Sequence, residues 1–122
     1  MEYSHYVYIY EDNKVKATSL GDFEELVMMS ACILGKEAYS VSIKTDLEIR
    51  LKKTINISAV HTALYRLEDK GFLTSELAGA TNERGGRRKR FFIPTAIGKS
   101  ALENLKSIRQ NMYNLIPSLR NG

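Results

Sequence analysis

The 122-residue sequence has no tryptophan, one cysteine (Cys32), two histidines (His5 and His61) and two prolines (Pro94 and Pro117). A single cysteine excludes an intramolecular disulfide framework and fits a reducing cytoplasm. No apolar run is long enough to cross a bilayer. No N-terminal stretch orders a charged region, an apolar run and a cleavage site as a signal peptide does. Repeats and low-complexity tracts are missing too. With so few histidines and cysteines and no Gly-rich phosphate loop, no catalytic constellation can be assembled, and His61 lacks nearby partners for a metal. Adjacent Glu24 and Glu25 diverge by about 100° on a helix, which makes them poor acid–base partners. The expectation is a non-enzyme without cofactor or metal.

Excess charge is also missing from most of the chain. The net charge of +4 comes from 18 Lys+Arg against 14 Asp+Glu. The stretch Glu83-Arg84-Gly85-Gly86-Arg87-Arg88-Lys89-Arg90 holds five cations and one carboxylate, so it contains the whole excess. Gly85-Gly86 lets the backbone bend there. Such a tip suits a nucleic-acid groove, where phosphates supply affinity. A solvated hairpin loop has the same composition, and the stretch alone does not separate the two readings.

What is present in quantity is helical periodicity. Residues 1–18 form a tyrosine-rich arm in which Tyr6, Tyr8 and Tyr10 alternate with Val7 and Ile9, as in a strand. A first helix is predicted from Ser19, with Asp22 as a capping-box partner. Phe23, Leu26, Val27, Ser30, Ile33 and Leu34 share its face, and Gly35 stops it. Met28, Met29 and Cys32 fall beside that face. A second helix is predicted over residues 40–52, with Ile43, Leu47 and Leu51 along one side.

After a short link, Ser58 is a good N-cap and Gly71 a good terminator for a third helix. Val60, Leu64 and Leu67 share its inner face, with Ala63 at the edge. The opposite face presents Ser58, Thr62, Tyr65, Arg66 and Asp69, with His61 at the margin. These are mostly uncharged hydrogen-bonding groups, suited to base edges in a major groove; an ordinary solvated face is the competing reading. Residues 72–77 and 90–93 are apolar and β-prone, and they read as a hairpin whose loop carries the basic tip. Three helices followed by a hairpin make a winged helix-turn-helix.

Pro94 ends the second strand, and Thr95 can cap the last helix. There Ala101, Leu105, Ile108, Met112, Leu115 and Leu119 keep an a/d spacing, with Pro117 placed to end the helix before Leu119. About 30 Å long, this helix either folds back on its own domain or pairs in a two-fold dimer, which is the preferred reading.

Several separated stretches resemble the PadR-type transcriptional regulators. They are Leu20-Gly21-Asp22-Phe23-Glu24-Glu25-Leu26-Val27, Ala38-Tyr39-Ser40-Val41-Ser42-Ile43, the segment from Ser58 to Gly71, the basic stretch with Phe91-Phe92, and Thr95 with Gly98. The resemblance covers roughly residues 19–116 and, with one C-terminal helix, points to the short subfamily. It implies a dimeric repressor whose C-terminal helix (Ala101, Leu105, Ile108, Met112, Leu115) packs against the partner's first helix (Phe23, Val27). Some relatives respond to phenolic acids or flat hydrophobic drugs near the dimer interface, so a small hydrophobic or aromatic effector is an expectation here. Met28, Met29, Cys32 and Met112 are adaptable side chains near that interface. His61 stands where many relatives carry Tyr, and Pro94 where Leu is usual. The missing tryptophan leaves the drug-stacking pore of some relatives without a counterpart.

The combined expectation is a mainly α protein with a small β-hairpin (α+β). Residues 1–18 are the arm, 19–94 a winged helix-turn-helix and 95–122 a dimerisation helix. The function expected is a cytoplasmic, dimeric, sequence-specific repressor on double-stranded DNA with an inverted repeat. Ser58, His61, Thr62, Tyr65 and Arg66 face bases or nearby phosphates. Arg84, Arg87, Arg88 and Lys89 serve the wing, and Tyr39, Ser40, Ser42 and Lys44 meet the DNA backbone. The alternative is a winged-helix module that binds protein without sequence-specific DNA binding.

Overall fold

In the structure, a computed structural model, residues 20–78 and 88–120 are described. The tyrosine-rich arm, Ser19, Arg84 and Arg87 lie outside the described residues. Helix α1 spans Asp22–Leu34 and is capped by Gly21, whose N–H donates to Glu24 Oε1 at 3.0 Å. The carboxylate that returns to this cap is Glu24; the expected partnership of Ser19 with Asp22 lies outside the described residues. Asp22, Glu24 and Glu25 all sit in this first turn, where negative charge meets the positive end of the helix dipole.

The inner face of α1 agrees with expectation at Val27 and Ser30, with Phe23, Leu26 and Leu34 packed against the core, and departs from it at Met28 and Ile33. Glu24, Val27, Met28 and Ala31 turn inward with Ser30, whereas Ile33 is exposed. Apolar residues lie on almost every side of α1, so periodicity alone does not choose between neighbouring stripes. The i, i+3, i+4, i+7 set that includes Met28 and Ala31 wins because α1 is enclosed by several elements. It touches the two following helices, the second strand and the C-terminal helix.

A 3-10 turn over Gly35–Glu37 leads into α2, Ser40–Leu51. Ile43 and Leu47 of α2 are buried, but Leu51 is left partly exposed at the helix end. Lys52 closes α2 in the left-handed region, at φ 57 and ψ 45. Helix α3 spans Ile57–Asp69. Its cap is Asn56, whose side chain accepts from Ser58 N–H at 2.6 Å, and not Ser58 as expected. Val60, Ala63, Leu64 and Leu67 face the core. At the other end Phe72 N–H reaches Leu67 O and Gly71 N–H reaches Glu68 O, both at 2.9 Å. With Gly71 at φ +81, this pair of bonds is a Schellman stop.

Strands β1 (Leu73–Ala78) and β2 (Lys89–Pro94) pair antiparallel, from Leu73 opposite Pro94 to Ala78 opposite Lys89. Proline occupies the last paired position, and the next backbone bond across the hairpin comes from Thr95 N–H to Phe72 O at 3.0 Å. Phe92 N–H also donates to Ala38 O at 2.9 Å, beside a bridge between Tyr39 and Phe91. The hairpin is thus fastened to the segment that starts α2.

Helix α4 spans Ala96–Leu115 and a short turn, Pro117–Arg120, follows. Thr95 caps α4: its Oγ1 accepts from Gly98 N–H at 3.0 Å and donates to Gly71 O at 2.7 Å. Ala101 and Leu102 pack against the core, and Arg109 donates to Glu25 Oε1 at 3.0 Å. Of the expected seam, Ala101, Leu105 and Ile108 are half-buried in the single chain. Beyond them, Met112 is 59% and Leu115 74% exposed. Val27, assigned above to the partner contact, is 0% exposed in the core and has no surface to offer. Among the described residues no helix is long and apolar enough to cross a membrane.

Candidate nucleic-acid interface

Helices α2 and α3 with the five-residue link Lys52–Asn56 form the helix-turn-helix. Ser58, Thr62, Tyr65, Arg66 and Asp69 lie exposed along one side of α3, with His61 half-buried beside them. Burial of Val60, Leu64 and Leu67 holds these groups outward. The His61 and Tyr65 rings stack, with centroids 6.2 Å apart and 21° between planes. This places two aromatic groups at i and i+4 as one slab.

The described part of the wing meets the start of α2 through Tyr39. The Tyr39 ring meets Phe91 edge-on at 5.5 Å, and Lys89 Nζ lies 4.3 Å above the ring centroid and 3.3 Å from its hydroxyl. A cation over an aromatic face is attracted by the ring quadrupole. Tyr39 is thus a half-buried joint between α2 and β2 as well as a candidate contact. Arg88 and Lys89 are exposed, whereas Arg90 donates to Ser75 Oγ at 3.0 Å, and Ser75 donates to Glu68 at 2.6 Å.

Of the residues expected at the DNA backbone, Ser40 stands at the start of α2 beside Tyr39. Ser42 is corrected. Its hydroxyl donates to Glu37 O at 2.6 Å and accepts from Tyr39 N–H at 3.0 Å, so it is engaged in starting α2. Its spacing from Tyr39 is the sequence signal of that role. Lys44 is paired: its Nζ lies 3.0 Å from Glu48 Oε2.

Glu48 was not singled out by the sequence reading. The same Oε2 accepts from Ile55 N–H at 2.9 Å, across the turn between the two helices. The bonds from Ile55 N–H and Lys44, with the Lys44 charge, hold the Glu48 carboxyl below its ordinary value. Elsewhere, burial works to raise the Asp46 carboxyl. The bonds from Arg50 and Ser30 and the charge of Arg50 outweigh it, so Asp46 also titrates low. Ser30 of α1, almost fully buried, donates to Asp46 at 2.8 Å and ties α1 to α2. Lys70 pairs with Glu24, tying the end of α3 to the start of α1.

Two grooves flank α1. One lies between α1 and α3 and is lined by Phe23, Asn56, Ser58, Thr62 and Arg66 among others. The other, about 350 Å³, lies between α1 and α4 along Glu25, Met29, Leu102, Lys106, Arg109 and Tyr113. Met28 is fully buried in the core rather than near an interface. Cys32 keeps part of its surface exposed, but the partial burial of its thiol pushes it up against the opposing charge of Lys99. That disfavours the thiolate a redox sensor needs.

No family model matches the sequence, and no curated protein matches it. Solved structures do. A PadR-like transcription factor from Bacteroides fragilis superposes with a TM-score of 0.61 at 22% identity, over 74% of this chain and 82% of that one. A PadR-family transcriptional regulator from Eggerthella lenta gives 0.60 at 21% identity, over 77% and 80%. One from Clostridium difficile gives 0.51 at 26% identity, over 79% and 94%. The likeness extends over most of both chains in each case, and the fold they share with this chain is the PadR-like winged helix.

Proposed function

We propose that this PadR-like winged-helix chain is a DNA-binding transcriptional regulator, and that it acts as a cytoplasmic, dimeric, sequence-specific repressor. The observation that carries the reading is the exposed, largely uncharged hydrogen-bonding side of α3. The exposed cations Arg88 and Lys89 at the base of the wing, with Lys89 held over Tyr39 just before α2, support it. Uncharged donors and acceptors on a helix read base edges, and flanking cations hold phosphates. Ser58, His61, Thr62, Tyr65 and Arg66 read the major groove, while Tyr39 and Ser40 meet the DNA backbone, which Lys44 can join only by leaving Glu48. The basic wing lies on phosphates or in the minor groove.

Dimerisation is supported by the far end of α4, where Met112, Tyr113 and Leu115 are more than half exposed in the single chain. A second copy covering this end would set two α3 helices on an inverted repeat, in successive major grooves about 34–36 Å apart. The groove between α1 and α4 is the place for a small hydrophobic or aromatic effector. Binding to an inverted-repeat duplex, measured by gel shift at two salt concentrations, tests the reading. Affinity that falls steeply with salt is expected; a flat response or no binding near physiological ionic strength favours a protein-binding module instead.

A further inference from the structure

We propose that Glu48 is a positioning residue that restrains DNA binding, fastening the recognition helix while holding Lys44 back from the phosphates. The inference rests on the DNA-binding reading above. A single carboxylate oxygen, Glu48 Oε2, accepts from Ile55 N–H at 2.9 Å and from Lys44 Nζ at 3.0 Å. Ile55 is one residue before the Asn56 cap of α3 and is itself buried, so its N–H is a fixed point of the turn. Sequence-local hydrogen bonding does not supply a partner here: Lys52 N–H returns to Glu48 O, and the next backbone bonds begin with Ala59 N–H to Asn56 O. The Glu48 side chain spans that gap and sets where α3 starts relative to α2.

The second bond has the opposite effect on DNA. Lys44 lies one turn after Ser40 on α2, and the Lys44 and Glu48 side chains keep about a quarter of their surface exposed. A phosphate approaching the start of α2 must therefore compete with Glu48 for the ammonium group. Both roles use the same oxygen, so the two are separable by substitution. Glutamine keeps a carbonyl acceptor for Ile55 N–H but carries no charge to hold Lys44. Alanine removes both.

Salt-dependent binding of the full chain to an inverted-repeat duplex tests this, for wild type, Glu48→Gln, Glu48→Ala, Lys44→Gln and the Glu48→Gln/Lys44→Gln double variant. Hydrogen exchange of the Ile55 amide is followed in each. Glu48→Gln should tighten binding about twofold to fivefold at low salt, the range of a partly exposed ion pair. Its salt slope should steepen by about 0.9, as for one added phosphate contact. Ile55 should stay protected in Glu48→Gln and lose protection in Glu48→Ala, which should bind more weakly. In the double variant the gain should vanish. A gain of equal size without Lys44 would reduce Glu48 to general repulsion of DNA and overturn the restraint. Unchanged Ile55 exchange in Glu48→Ala would overturn the fastening. Failure of wild type to bind any duplex would overturn the DNA reading itself, a result distinct from wild-type binding that Glu48→Gln leaves unaltered.

Discussion

Thr62 and Tyr65 are exposed on α3 without a polar partner role in the core, so their removal changes what is read and not how the helix sits. Thr62→Ala or Tyr65→Ala should shift sequence preference, by about 1–3 kcal/mol at the affected base pair. Competition binding against a set of single-base operator variants checks it. Arg88→Ala/Lys89→Ala should instead weaken binding to all sequences alike and flatten the salt dependence. At Glu48 the effect of pH on folding has a definite sign. Its folded pKa lies below the ordinary 4.5. The stability it contributes is therefore complete above that value and is lost as pH falls through the lower folded value. Urea unfolding should show wild type more stable than Glu48→Gln at neutral pH, with the difference closing in acid.

At the scale of elements, Gly98 is where α4 lies against the start of the hairpin without room for a side chain. A Cβ there would stand 2.2 Å from Phe72 O and 2.6 Å from Met28 Cε. The methionine end can swing away, but the carbonyl belongs to the start of the hairpin and cannot. Gly98→Ala should destabilise by about 1–3 kcal/mol, and thermal unfolding should register about 4–8 °C for each kcal/mol. The elements themselves were largely legible in sequence. Helix α3 was delimited because Gly71 supplies the left-handed residue of its stop, and α4 because Thr95 and Pro117 bracket it. The cap of α3 was misplaced by two residues since Asn56 and Ser58 are both good caps and Ile57 does not choose between them. On α1 the expected face departs from the structure at Met28 and Ile33, which are equally apolar, and only the enclosing elements decide which is covered. Glu48 was invisible for a different reason: its bond to Ile55 N–H spans seven residues and exists only once the turn is made.

At the scale of the molecule, α1 connects the two ends of the proposed function. Adjacent Glu24 and Glu25 point to different elements, Glu24 to Lys70 at the end of α3 and Glu25 to Arg109 on α4. The divergence that disqualifies them as acid–base partners suits them to this. The outer half of α4 carries the apolar surface left over, with Tyr113 and Ile116 beside Met112 and Leu115. Because Met112 and Leu115 are exposed in the single chain, Met112→Asp/Leu115→Asp should leave the domain folded but monomeric in analytical ultracentrifugation, with unchanged circular dichroism. Loss of helicity in that variant would mean that the end of α4 is needed for folding. The central claim is that the α3 surface and the basic wing together bind DNA by sequence. Its most direct test is the equilibrium affinity of the intact chain for an inverted-repeat duplex and for a scrambled one, titrated across salt. The predicted result is a preference for the repeat, with affinity for both duplexes falling linearly in log salt, by about 0.9 for each phosphate contacted. Equal affinity for the two duplexes, or binding indifferent to salt, would contradict it.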